Sequence, residues 1–298
     1  MKEVSKLGPL RDPVLLAGFV VHRQAGRIGS RAVSYLVSQW NGELVARMDS
    51  QDFMDFTIDR PESRFVGDTR TIKWPDTLVY LARPERASRD FLLLVGFEPN
   101  LGWNAFVQDL AAYTDGAGVK TLISIRGFPA TVPHTRPTPV QVTTSDAELG
   151  ERFGLQARRS GYEGPIDILG VLAAVGQEKG WQTVDLSVLQ PSYYPRMRNA
   201  AATMAVVAVL DKAFGTSTAI ESLAIAAEEQ IATLEQNAPR EDEFRSMLRE
   251  LERLYDEAQG KSEFLSTTTG PELPSGTEVV DEIERLLRRH RGTDPESS

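Results

Sequence analysis

The feature that most constrains the fold is the run Leu92-Leu93-Leu94-Val95, which has no polar alternation. Side chains of a strand point alternately to opposite faces, so such a run needs both faces covered and belongs at the centre of a sheet. Other short apolar runs bounded by Gly, Pro or charged turns read as strands: Val14 to Val21, Leu44 to Met48, Thr77 to Ala82, Phe91 to Gly96, Val119 to Ile125 and Val184 to Leu189. Segments of helical period fall between them: Ile28 to Trp40, Trp103 to Thr114, Ala147 to Phe153, Ile166 to Lys179 and the alanine-rich Met197 to Phe214. This alternation predicts an α/β domain rather than a bundle or a β-sandwich. The link from Arg83 to Asp90 is too short and polar for a crossover helix, so Thr77–Ala82 and Phe91–Gly96 should form a hairpin and the sheet should be mixed. Phe65 to Trp74 reads as one further edge strand, ending at Pro75.

The pattern changes after Gly215. Thr218-Ala219-Ile220-Glu221 has the form of a capping box, and Ile220, Leu223, Ala227, Ile231 and Leu234 follow at helical spacing. Pro239 interrupts that stripe, and a second one at Phe244, Leu248, Leu251, Tyr255 and Ala258 runs to Gly260. Lys261 to Gly276 is rich in Ser, Thr, Pro and Gly and reads as a linker, and Glu278 to Arg291 as a terminal helix with acids first and arginines last. The expected organisation is an α/β core over 1–215, a helical hairpin over 216–260, and a linker with a terminal helix over 261–298.

Charge follows the same division. The net charge is -9, yet residues 216–298 hold 19 Asp and Glu against 9 Lys and Arg, and the preceding 215 hold 23 against 24. A neutral body with an acidic tail lacks the basic stripe that neutralises phosphates, so a nucleic-acid partner is not expected. The absence of cysteine rules out disulfides, thiolate nucleophiles and zinc sites of the finger kind, and suits a reducing compartment. No apolar run reaches the roughly 18 residues that span a bilayer. Val14 to Val21 contains Gly18 and lacks an A-x-A cleavage pattern, so it reads as a first strand of a cytoplasmic protein without a membrane anchor.

The phosphate loop G-x-x-x-x-G-K-[ST], G-x-G-x-x-G after a strand, G-x-S-x-G and H-E-x-x-H are all missing. No catalytic residue, metal ligand set or cofactor is therefore assigned. Of the three histidines, His290 sits among arginines, which leaves His22 and His134 as residues that can join a site. Three loops directly follow apolar strands, where open α/β sheets bind ligands. In the first, Arg27 and Gly29 lead into a helix whose first N–H groups can face an anion, or form only a turn. In the second, Gly96 permits close backbone approach and Glu98 lies just past a buried strand, the alternative being an N-cap at Asn100. In the third, Pro133, Pro137 and Pro139 either present His134 and Arg136 in a fixed geometry or merely brace a crossover. Gly164, before Pro165 at a first helical turn, reads as structural, and Tyr193 beside Tyr194 as a ligand-stacking, partner-binding or edge-covering group.

In order along the chain, Leu16-Ala17-Gly18 with Ala25 to Gly29 and Ala32, then Trp74-Pro75-Asp76, Leu81 to Pro84, Asp90 to Pro99, Pro133 to Pro137 and Gly161 to Pro165 resemble the proteasome assembly chaperone family, in its actinobacterial branch. The likeness covers roughly residues 10 to 260. It implies a three-layer α/β sandwich with a mixed central sheet similar to nucleoside phosphorylases, a C-terminal helical addition, and homo-oligomers, with a trimer as the expected state. It also implies a protein partner related to the proteasome. Archaeal members that dock on proteasome rings end in a hydrophobic-Tyr-any motif, whereas this sequence ends Asp294-Pro295-Glu296-Ser297-Ser298, so that docking route is not expected. The leading expectation is a non-enzymatic, cytoplasmic, protein-binding oligomer of assembly-chaperone or scaffold type. The alternative is a site for a nucleoside or anionic metabolite in which Arg27, Glu98, His134 and Arg136 converge.

Overall fold

Strand side chains alternate between two cores, and this alternation builds the layers. In the computed structural model, which describes residues 1–21, 27–193, 198–237 and 242–261, the strands are β1 (Lys2–Glu3), β2 (Val14–Val20), β3 (Glu43–Met48), β4 (Glu62–Val66), β5 (Thr69–Lys73), β6 (Thr77–Ala82), β7 (Phe91–Phe97), β8 (Thr121–Ala130), β9 (Val140–Thr144), β10 (Ala157–Arg158) and β11 (Gln182–Pro191). The helices are α1 (Ile28–Gln39), α2 (Trp103–Gly116), α3 (Ala147–Arg152), α4 (Ile168–Glu178), α5 (Ala200–Phe214), α6 (Glu221–Asn237) and α7 (Asp242–Lys261). The loop 22–26, residues 194–197 and the expected linker and terminal helix beyond Lys261 lie outside the described residues, so His22, Tyr194 and His290 are not placed.

Nine strands form one sheet in the order β1-β3-β6-β7-β2-β8-β11-β9-β10. β2 runs parallel to β7 and β8, and β8 parallel to β11, whereas β6–β7, β3–β6 and β9–β11 are antiparallel, so the sheet is mixed. Leu16, Leu93, Ile123 and Leu186 face one core under α1 and α5, and Leu15, Leu92, Leu94 and Leu122 face the other under α2 and α4. Each fully buried aliphatic side chain contributes about 1.5–3 kcal/mol, which is why the unbroken apolar runs become the inner strands. At the foot of β2 and β7 the buried Asp90 accepts hydrogen bonds from the Arg11 backbone N–H and guanidinium at 2.8–2.9 Å, which fixes where the two strands start together.

Helix α1 presses onto the sheet through two glycines. A methyl group at Gly18 would collide with the carbonyl of Gly29, and one at Gly29 with the carbonyl oxygen of Ile125. The far side of α1 carries the extension. Trp40 Nε1 donates to the Thr218 hydroxyl at 3.0 Å, and Tyr35 Oη donates to the Ala219 carbonyl at 2.7 Å. Thr218 is therefore not the capping-box residue expected: its hydroxyl donates to Asp211 (2.7 Å) while accepting from Trp40, and α6 starts at Glu221.

Two further expectations change. Phe65–Trp74 is not one edge strand: it holds the end of β4, a turn at Gly67 and Asp68, and all of β5, which pair as a separate hairpin, with Gly67 at φ 58°, a conformation that suits glycine. Helix α4 starts at Ile168 rather than Ile166, because Asp167 accepts from the Gly170 N–H at 2.9 Å and caps it, leaving Pro165 outside the first turn. Residues Met1–Glu252 form one compact unit; of the second unit the described residues are the end of α7, in which Arg253 pairs with Glu257 one helical turn on. No helix among the described residues is long and apolar enough to cross a membrane.

Gly18→Ala or Gly29→Ala should destabilise the protein by roughly 1–3 kcal/mol or more, because α1 cannot retreat without opening the core between it and the sheet. Gly116→Ala, whose added methyl would meet open space at the end of α2, should be neutral or stabilising by up to about 1 kcal/mol. Urea unfolding of the variants separates the two outcomes.

Candidate functional site

The structure distributes the eight predicted site residues over separate surroundings. Arg27 lies at the N-terminus of α1 in the left-handed region (φ 55°), its carbonyl accepting from the Ser30 hydroxyl at 3.0 Å, and Gly29 is the helix–sheet contact described above. Burial, and then the neighbouring Arg198 and Arg27, pull the Arg31 guanidinium below its usual range, so positive charge gathers where α1 and α5 begin. Gly96 packs against Thr77 on β6, where a side chain has no room. Glu98 caps α4 from outside, its Oε1 accepting the Ile168 N–H at 3.0 Å, while its own N–H donates to Val20. Asn100 is not a helix cap: it accepts from the Asp55 N–H at 2.7 Å and donates to Asp59 at 3.1 Å. Gly164 sits beneath the exposed Tyr162 ring, whose hydroxyl donates to the Pro165 carbonyl at 3.0 Å.

His134, Arg136 and Tyr193 do come together, and what they meet is the chain's own helical extension. The Tyr193 hydroxyl accepts from the His134 backbone N–H at 2.9 Å and lies 2.9 Å from His134 Nδ1. Having used an acceptor lone pair on the N–H, it is placed to donate to an unprotonated Nδ1. On its other side the Tyr193 ring meets Phe244 of α7 edge-on, centroids 5.8 Å apart. Glu252 of α7 accepts from the Thr135 hydroxyl at 2.5 Å and pairs with Arg136 at 3.3 Å. Between this loop, the start of α5 and the inner face of α6 lies a cleft of about 50 Å³. Its polar wall is also engaged: Asn199 caps α5 by accepting from Ala202, and Gln230 of α6 accepts from the Ala200 N–H, both at 2.9 Å. Neither Arg27 nor Glu98 lines this cleft. An open depression of about 320 Å³ between α3 and β10 contains none of the eight residues.

A polar network that the sequence reading passed over lies between β8, β11 and α4. Arg126 on β8 binds both oxygens of Asp167 (2.8 and 2.9 Å) and pairs with Asp185 of β11. Ser124 and Ser187 donate to the two Asp185 oxygens at 2.7 and 2.6 Å. Burial acts to raise the Asp167 carboxyl, but the Arg126 hydrogen bonds and charge and the Gly170 N–H outweigh it and hold it below the usual carboxylate range. The signal was present: Arg126 and Asp185 are charged residues inside mainly apolar strands, and the parallel register, which sets Arg126 opposite Ser187 and Asp185 opposite Ser124, makes them diagonal neighbours on one face. With every strong donor matched to an acceptor, the network fixes α4 to the sheet. Among the described residues there is no His, Asp and Glu cluster suited to a metal ion.

This fold and loop arrangement match known proteins. The sequence pattern of the PAC2 family covers residues 19–238. The chain belongs to the PAC2 family. A PAC2 family protein from Streptomyces avermitilis is 30% identical over 80% of this chain and 100% of that one, with a TM-score of 0.70. A Mycobacterium tuberculosis proteasome-assembly chaperone homologue is 28% identical over 79% of this chain and 99% of its own, with a TM-score of 0.69. The Pyrococcus furiosus archaeal proteasome activator PbaB, 17% identical over 79% of this chain and 99% of its own at a TM-score of 0.60, shares the fold. No curated protein matches the chain. Membership of PAC2 agrees with the family resemblance of the sequence, and the three-layer α/β architecture is the one that resemblance implied.

Burial lowers the affinity of His134 for a proton from its ordinary 6.5, with Glu235 and Glu252 opposing. A histidine held neutral in the fold stabilises it above the unfolded value, and that stability is lost as pH falls through the folded value. Hydrogen-exchange protection over residues 242–252, corrected for intrinsic rates, should therefore fall as pH drops from about 7 to about 5. His134→Gln should flatten this dependence.

Proposed function

We propose that this PAC2 protein is a cytoplasmic, non-enzymatic, protein-binding homo-oligomer of assembly-chaperone or scaffold type, with a trimer as its expected state and a proteasome-related protein as its partner. The observation that carries the reading is that Thr135, Arg136 and Tyr193 are engaged by α7 of the same chain, and His134 by Tyr193, rather than left around a ligand-sized cavity. Small-molecule sites measure about 300–1,000 Å³. The cleft at His134 and Arg136 offers about 50 Å³, room for ordered water but not for a nucleoside. The M. tuberculosis chaperone homologue supports a protein as the partner class. Large apolar side chains are also exposed, Phe65, Val66, Ile72 and Ile225 among them, as recognition surfaces require.

Affinity isolation of the full chain from its native cytoplasm should recover a stoichiometric protein partner, with proteasome subunits the first to be sought. Absence of any such partner counts against the reading. A thermal-shift screen of nucleosides and anionic metabolites should leave Tm unchanged. A ligand saturating the native state would raise it by roughly 5–10 °C, and loss of that shift in Arg136→Ala would replace the proposal with a small-molecule site.

A further inference from the structure

The β4–β5 hairpin projects its side chains into solvent on both faces. All ten of its residues are exposed, and it pairs with no strand of the main sheet. Its register puts Phe65 opposite Arg70 and Ser63 opposite Ile72, so Phe65, Arg70 and Ile72 share one face, with Arg70 over the Phe65 ring at 5.3 Å. Phe65 and Ile72 are 65% and 61% exposed. A two-stranded hairpin is marginal by itself in water, and large apolar side chains held outside the core mark a contact surface. From Arg60 to Lys73 there are four basic residues against two acidic, Glu62 and Asp68, in a chain of net charge -9. Arg64 pairs with Glu62 at 2.6 Å, while Arg70 and Lys73 carry the positive charge of β5.

The complementary surface is on α6. Between Glu221 and Asn237 there are four glutamates and no basic residue. Glu221, Ile225, Glu228, Glu229 and Ala232 are exposed at helical spacing along one side, with Ile225 at 60%, opposite the side that Ala227 buries. An acidic stripe with an apolar centre matches a basic arm with an apolar centre in both charge and hydrophobicity. We infer that the β4–β5 arm of one copy lies on the outer face of α6 of a second copy, Phe65 and Ile72 against Ile225 and Arg70 against Glu228 and Glu229, with Lys73 on the other face of the arm adding to its positive field. The inference deepens the homo-oligomer reading above and rests on it. Because arm and helix are different patches, the contact is head-to-tail, the kind that closes into rings.

Sedimentation velocity of the full chain and of two charge-reversed variants, R70E/K73E and E228K/E229K, tests the contact. The wild type should self-associate, and each variant should weaken association about tenfold or more, since like charges are then apposed. Combining all four substitutions should return it to within a few-fold of wild type. All six substituted side chains are exposed, so thermal melts of the monomers should coincide. The variant F65S/I72S removes the apolar part and should dissociate the oligomer without dependence on salt.

An oligomer untouched by both reversals and by F65S/I72S overturns the arm contact and leaves the homo-oligomer reading standing. So does weakening by each reversal without rescue in the combination. A wild type that stays monomeric up to roughly 100 μM overturns both. Loss of a co-purifying protein by R70E/K73E with self-association intact puts a different protein on the arm, and overturns the self-contact.

Discussion

The backbone contact between α1 and the central strands is the constraint on which the rest of the structure depends. Gly18 and Gly29 let the first turn of α1 lie against β2 and reach the Ile125 carbonyl of β8. That seats Ile28, Ala32, Val33 and Leu36 in one core and turns Tyr35 and Trp40 toward the segment after α5. Through those two hydrogen bonds the position of α6 is fixed by α1, and the inner face of α6 in turn forms one wall of the cleft at His134. The depth of the helix on the sheet, set by two missing methyl groups, thus propagates to the surface where the helical extension meets the 132–139 loop. Interiors packed at crystal-like density transmit such displacements rather than absorb them.

Buried charge in this protein serves positioning. Asp90, 1% exposed, is satisfied by the backbone N–H and guanidinium of Arg11. Arg126 is divided between Asp167 and Asp185, and both aspartates take further hydrogen bonds. Removing one member of such a pair costs far more than the pair contributes net, because the remaining charge is stranded in a poor solvent. These groups therefore fix strand starts and helix ends, where an apolar contact would permit sliding. A reactive acid or base needs an unmet valence directed at a substrate. Here the strong valences are directed at the protein.

The layers were legible in the sequence because they are written in short-range periodicity. Leu92 to Val95 could only be an inner strand, and the Arg83–Asp90 link could only be a hairpin; both follow from local spacing. What was missed depended on one-residue signals or on distant pairing. Gly67-Asp68 between two runs is a hairpin turn, and reading Phe65–Trp74 as continuous hid the arm. Asp167 is a stronger helix start than Pro165, since it supplies an acceptor where proline merely lacks a donor. β9 and β10 are short, and β10 pairs over only two residues, so no periodic pattern marks it. The candidate residues lie on separate loops, and only the fold could reveal that Arg136 meets Glu252, over a hundred positions away, and that Tyr193 joins His134 to Phe244.

Where a protein's polar convergence is filled by its own chain, specificity has to reside on the outside. The 132–139 loop could be read either as presenting His134 and Arg136 in a fixed geometry or as bracing a crossover, and in the structure its rigid course gives α7 a platform. Loop prolines reduce the entropy lost on docking whether the docked helix belongs to another molecule or to the same one. In cis, the gain fixes the acidic extension on the core. The outer face of α6 and the β4–β5 arm then stand as oppositely charged surfaces, each with an apolar centre. The proposed self-contact would join these surfaces over area, through charge-guided approach and apolar closure, and the mixed sheet behind them supplies the stiffness that lets separate surfaces keep a constant spacing.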